Sequence, residues 1–227
     1  MPYINGNKVM GISNIIISPS DPSGPTGPTE IPDYYKISNL NEFGTSEVEV
    51  DVASRSNFKN LFYQALTNIT VEHLTINGSQ DGIITSMYQC FHSRYMANDN
   101  KLKIITLNCD LSNCTDFYNM CNGLSALEVI DGTPIDFSSA TSTIQIFGSC
   151  NKLKEFRVKP QTIKISLPLG TVEPISNDTI QSIVDGLADL KGQTSQTMTF
   201  GFDPSTKLTD AQKLSMTAKN WNVVLMD

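Results

Sequence analysis

Charge is scarce in this chain. Of 227 residues, only 17% are Asp, Glu, Lys or Arg, a low share for an ordinary cytosolic enzyme. The surface must be made polar by Ser, Thr and Asn instead, a composition common in extracellular and virion proteins. A basic excess is missing as well. The formal net charge is −7, and no segment reverses it. Residues 1–57 carry 3 basic and 7 acidic side chains, residues 58–170 carry 9 of each, and residues 171–227 carry 4 and 7. A chain that neutralises phosphates needs the opposite balance, so nucleic acid is not expected as a partner.

Long apolar runs are also lacking. The early run Ile15-Ile16-Ile17 is far too short to cross a bilayer, so no membrane insertion is expected. The first residues show no charged start, apolar stretch and small-residue cleavage site. A complete natural chain of this kind is expected to miss the usual export route and to keep free thiols. Cysteines number five, at 90, 109, 114, 121 and 150, and an odd count cannot pair fully within the chain. Histidines number two, His73 and His92. Cys90 and His92 lie two apart, but catalytic pairs are placed by the fold rather than by adjacency, and the pair reads as structural. Cys109, Cys114 and Cys121 lack the second ligand pair at recognised spacing that structural zinc requires. No catalytic residue, metal or cofactor is expected.

What is present is a layout in parts. Residues 1–17 form a head. Asn5-Gly6 is a turn dipeptide that Tyr3-Ile4 and Lys8-Val9 could flank as a small hairpin. In residues 18–32, 12 of 15 positions are Pro, Gly, Ser or Thr, the makeup of an extended tether. At about 3.1 Å per residue it reaches on the order of 45 Å. Residues 33–57 end in SEVEVDV, whose alternation of acid and valine predicts a strand with one buried face. That strand suits an amino-terminal cap. Glu47, Glu49 and Asp51 would then point the same way, too far apart to share one calcium ion.

Residues 58–170 repeat one apolar phrase. Leu124, Leu127 and Ile130 stand three apart, and a shift of 26 carries them onto Cys150, Leu153 and Phe156. Two earlier copies contain Leu102, Ile105 and Leu107, and Val71, Leu74 and Ile76. Before each copy lies a short piece with helical spacing: FKNLFYQAL, SMYQCF, DFYNMC and TIQIFGSC. The expected unit is a short helix, a turn and a short strand, recurring every 26–31 residues, with RYMANDN inserted in the second copy. A strand so short cannot bury its face alone, whereas parallel strands stacked about 4.8 Å apart share hydrogen bonds and one core. Only inward positions are then constrained. Cys150 becomes a small buried hydrophobe equivalent to Leu124.

The alignment places Glu72, Lys103, Glu128 and Lys154 in one column with alternating sign, and Thr75, Thr106, Asp131 and Arg157 in a second. Lys152, Lys154, Arg157, Lys159 and Lys164 form a local basic cluster that reads as a solvated face partly neutralised by neighbours, with an anionic glycan as the alternative occupant. Residues 171–227 continue the plan. Ser176 to Asp178 is a capping signal ahead of Ile180, Ile183, Val184 and Leu187. TMTFGF predicts a strand, Thr209 and Gln212 stand at capping-box spacing before a second helix, and WNVVLM predicts the last strand.

CNGLSALEVI and FGSCNKLKEFRV resemble the BspA-type leucine-rich repeat, in which an aromatic and a cysteine precede leucines or isoleucines three apart. The ending DTIQSIVDGLADLK to WNVVL resembles terminal units of short leucine-rich proteins from gut bacteria and their phages. MPYINGNKV resembles the start of small phage structural proteins, head- or tail-associated. The first copy departs from the pattern, with FYQAL where the cysteine should stand. The resemblance implies an α/β leucine-rich-repeat solenoid, with short parallel strands on one face and short helices on the other, preceded by an extended N-terminal arm. It implies binding, not catalysis.

The combined expectation is a non-enzymatic virion protein present in multiple copies. Tyr3, Ile4, Val9, Ile15, Ile16 and Ile17 would anchor the head to another virion protein. Lys103, Thr106, Glu128, Asp131, Lys154 and Arg157 would line a surface for a host protein or glycan. The alternative is a bacterial cell-surface or secreted adhesion protein of the same family.

Overall fold

In the computed structural model, residues 13–16, 46–63, 69–93 and 101–226 are described. Eight strands and three helices lie among them: β1 (Ser13–Ile16), β2 (Glu47–Asp51), β3 (His73–Asn77), β4 (Ile104–Asn108), β5 (Val129–Gly132), β6 (Leu167–Leu169), α1 (Asn177–Gly186), β7 (Gln196–Phe200), α2 (Phe202–Lys207), α3 (Asp210–Ala218) and β8 (Trp221–Leu225). The fold is mixed α/β. All strand pairs are parallel, in a five-stranded sheet ordered β1-β2-β3-β4-β5 and a three-stranded sheet ordered β6-β7-β8.

The period-two apolar pattern sets the register of the larger sheet. Val48, Leu74, Ile105 and Ile130 are direct partners in successive strands, as are Val50, Ile76 and Leu107, and all are at most 4% exposed. Beyond β5 the ladder thins to isolated bridges such as Val129 with Glu155, and Phe156 is likewise buried. A one-residue slip in any strand would turn this whole set outward, which is why the register is so well specified. Leu124 and Cys150 are both fully buried. The valine strand expected as the amino-terminal cap is β2, but it is not the end of the sheet, because β1 pairs along its outer edge, Ile15 with Val50 and Ile16 with Asp51.

The short helices expected before each strand do not form among the described residues of 58–170. Those segments are open turns with Asn60, Gln89, Asn119 and Gln145 at φ of 57, 51, 52 and 51°, a left-handed conformation that stops an α-helix. In the first three, alternate N–H groups donate to the next segment, and the others bond three residues back. Phe58, Asn60 and Phe62 donate to the carbonyls of Ser86, Tyr88 and Cys90; Met87, Gln89 and Phe91 donate to Asp116, Tyr118 and Met120; Phe117, Asn119 and Cys121 donate to Ser142, Ile144 and Ile146. A helix this short scarcely repays its nucleation cost, and the neighbouring segment supplies an acceptor for every second N–H of the first three turns.

True helices occur only after residue 170 among the described residues. The Ser176 side chain accepts from the Thr179 N–H at the start of α1. Thr209 and Gln212 form both arms of a capping box on α3. α2 and β6 carry no signal recognised in the sequence.

Candidate binding face

Because side chains alternate along a strand, burying Leu74 and Ile76 turns His73, Thr75 and Asn77 outward. The same holds for Ile104, Thr106 and Asn108 on β4, and for Glu47, Glu49 and Asp51 on β2. These positions fall into rows across the sheet.

The charged column assembles as the register requires. The Lys103 N–H donates to the Glu72 carbonyl at 2.8 Å, Glu128 N–H to Lys103 at 2.8 Å, and Lys154 N–H to Glu128 at 2.9 Å. Two ion pairs close within it, Lys103 Nζ to Glu72 Oε2 and Lys154 Nζ to Glu128 Oε2, both at 2.9 Å. The hydrogen bond from Lys154, then its charge, holds the Glu128 carboxyl below its ordinary range, and the partners raise both lysines. Three positions along, Thr75, Thr106 and Asp131 are register partners, and Arg157 Nη2 reaches Asp131 Oδ1 at 3.2 Å and the Gly132 carbonyl at 2.9 Å. Of the six residues expected on the ligand surface, Thr106 and Asp131 are outward register partners, Arg157 is paired with Asp131, and Lys103, Glu128 and Lys154 belong to the charged column.

Other members of that face went unrecognised in the sequence. His73 Nε2 lies 2.8 Å from Thr106 Oγ1 and 3.4 Å from Thr75 Oγ1. Asn108 Nδ2 donates to Asn77 Oδ1 at 2.9 Å, and Asn77 Nδ2 donates to Glu49 Oε1. Lys159 Nζ reaches Asp136 Oδ2 at 2.8 Å. The signal for the asparagine row was present, since Asn77 and Asn108 each stand one residue past the inward Ile76 and Leu107.

The basic cluster is largely spoken for. Lys154, Arg157 and Lys159 each hold a carboxylate, and Lys164 Nζ donates to the Ser138 carbonyl at 3.3 Å. Of the expected anchoring residues, Ile15 and Ile16 lie in β1, while Tyr3, Ile4, Val9 and Ile17 fall outside the described residues, as does the hairpin around Asn5-Gly6. His92 stacks on Tyr63, ring centroids 5.4 Å apart. The thiols are fully enclosed. Burial pushes Cys109, Cys114 and Cys150 up to about 12 and raises Cys90 and Cys121 too. Among the described residues no group of three or more His, Cys, Asp or Glu could hold a metal ion, and no helix is long and apolar enough to cross a membrane.

No protein-family model, no curated protein and no solved structure matches the chain.

Proposed function

We propose that the chain is a non-enzymatic virion protein of decoration or fibre type, built as a leucine-rich-repeat solenoid, whose outward sheet face binds a host protein or glycan. One observation carries the reading: the inward positions Val48, Leu74, Ile105 and Ile130 are apolar and in register, while the outward rows Glu49-Thr75-Thr106-Asp131 and Asp51-Asn77-Asn108 present hydrogen-bonding groups from strand to strand. Stacked strands of this kind constrain the interior and leave the exposed rows to vary, which suits contact with a partner. The paired state of Lys154, Arg157 and Lys159 favours a ligand that hydrogen-bonds over an anionic polymer.

The head segment supplies the anchor. Ser13–Ile16 covers the edge of β2, so the anchor is tested by deleting residues 1–11 alone. Loss of incorporation into particles with an unchanged melting temperature is the expected result. The binding face is tested by Thr106→Arg and Asp131→Arg in the full chain, with loss of attachment to host cells as the readout. Undiminished incorporation removes the virion role and favours a cell-surface protein; undiminished attachment removes the face.

A further inference from the structure

The two ladders end differently. The rung Lys154–Val158 is closed by α1. Ser176 N–H and Thr179 Oγ1 donate to the Lys154 carbonyl at 2.9 and 3.1 Å, Phe156 N–H donates to Thr179 Oγ1 at 3.3 Å, and Val158 N–H donates to Ser182 Oγ at 2.9 Å. Hydroxyls three apart along one helix thus satisfy an otherwise open strand edge. Among the described residues no such device covers β8, and its only strand partner is β7.

A parallel ladder uses alternate residues for each neighbour. Met226 N–H donates to the Phe200 carbonyl at 3.0 Å, so the even-numbered residues face β7 and the N–H and C=O groups of Trp221, Val223 and Leu225 face away. Val224 and Met226 are 41% and 47% exposed, and Val223 and Leu225 only lean on the core. The segment Trp221–Met226 holds no charge, no proline and no glycine, the residues with which native edges are normally protected.

We propose that β8 pairs antiparallel with β8 of a second copy across a two-fold axis, joining two three-stranded sheets into one of six. The edge's own chemistry selects this occupant: Trp221–Met226 carries no charge, so two copies of a chain of net charge −7 meet there without setting like charges opposite one another, and the edge offers a charged partner no ion pair. An isologous contact needs a self-complementary patch. With the axis at Val223, each Val223 exchanges both backbone hydrogen bonds with its mate, Trp221 does so with Leu225 of the other copy, and Asn222 opposes Val224.

Sedimentation velocity of the full chain over a dilution series reads the assembly, and a dimer that dissociates on dilution is expected. Val223→Pro removes only an outward N–H, a substitution edge strands tolerate, and Val224→Lys places a charge on the edge. Both should give monomer with an unchanged far-ultraviolet spectrum. Cysteine reads the register. Val223→Cys should form a disulfide-linked dimer under mild oxidation, because paired Cα atoms lie about 5.5 Å apart. Asn222→Cys should not, and the five native thiols are buried and do not interfere. A wild type that stays monomeric at its highest soluble concentration, a dimer indifferent to both edge variants, or equal cross-linking at 222 and 223 overturns the proposal.

Discussion

Lys159 Nζ lies 2.8 Å from Asp136 Oδ2, and the aspartate side chain is only 5% exposed where the lysine is 57% exposed. The carboxylate also accepts the Ser138 N–H and hydroxyl at 2.8 and 2.6 Å. Burial pushes its pKa up, but the hydrogen bonds from Lys159 and Ser138 outweigh that and hold the group below its ordinary value.

A carboxyl depressed in the folded state stabilises the fold above its unfolded pKa, near pH 4, and loses that contribution as pH falls through the folded value. Asp136→Asn should therefore lower stability at neutral pH by about 1–2 kcal/mol. Urea melts at about pH 7 and pH 3 check it. The gap between wild type and variant should narrow in acid, and an equal gap at both would mean that Asp136 is not an ionised partner.

The buried thiols act at the other end of the pH scale. Each has a folded pKa above the ordinary 9.0, with three at about 12. Their stabilising contribution is whole below pH 9 and is lost as pH rises toward about 12, because the unfolded chain releases protons that the folded one keeps. Stability should fall steadily above pH 9, and a thiol reagent should label nothing until denaturant is added. Rapid labelling of the native chain would contradict the packing.

Gly123 has a φ of +87°, and a Cβ there would sit 2.2 Å from the Ser93 carbonyl oxygen. Gly192, at +76°, has nothing within 4 Å. Gly123→Ala should cost about 3 kcal/mol or more, and Gly192→Ala about 1 kcal/mol. Chemical denaturation of the pair separates backbone strain from steric conflict, since only the first site has both.

Thr179 is 3% exposed and serves two groups of the rung beneath it. Replacing it with valine keeps its shape and strands the Phe156 N–H. The expected loss is about 1–3 kcal/mol, together with faster amide exchange at Phe156. Protection unchanged in the variant would show that α1 does not close this edge.

Lys103 has Glu72 on one side and Glu128 on the other. Lys103→Glu should lower the melting temperature modestly, since these pairs are half exposed. Adding Glu72→Lys should recover only part of the loss, because residue 103 still faces Glu128. Full recovery would mean that the column acts as separate pairs.

Much of this is legible in the sequence. The register of Leu74, Ile105 and Ile130 follows from apolar positions at constant offset, and the column from Glu72 to Lys154 follows from that register. The capping box of Thr209 and Gln212 was readable because a cap is local chemistry. The turns at Asn60, Gln89, Asn119 and Gln145 were not. Their apolar spacing fits a helix equally well, and at Asn60, Gln89 and Asn119 the carbonyls of the neighbouring segment decide it. The Asp136 and Lys159 contact was hidden because 23 residues separate them and neither belongs to the repeated phrase.

By itself the sequence determined which side chains of β2 to β5 face inward and that these four strands neighbour one another in chain order. Both follow from the two-residue alternation of apolar groups, and burying them together leaves one register. Only the tertiary structure decided where backbone N–H groups find acceptors, which edge α1 closes and which edge β8 leaves open. Those outcomes depend on groups distant in the chain coming within hydrogen-bond reach, and no local pattern encodes that distance.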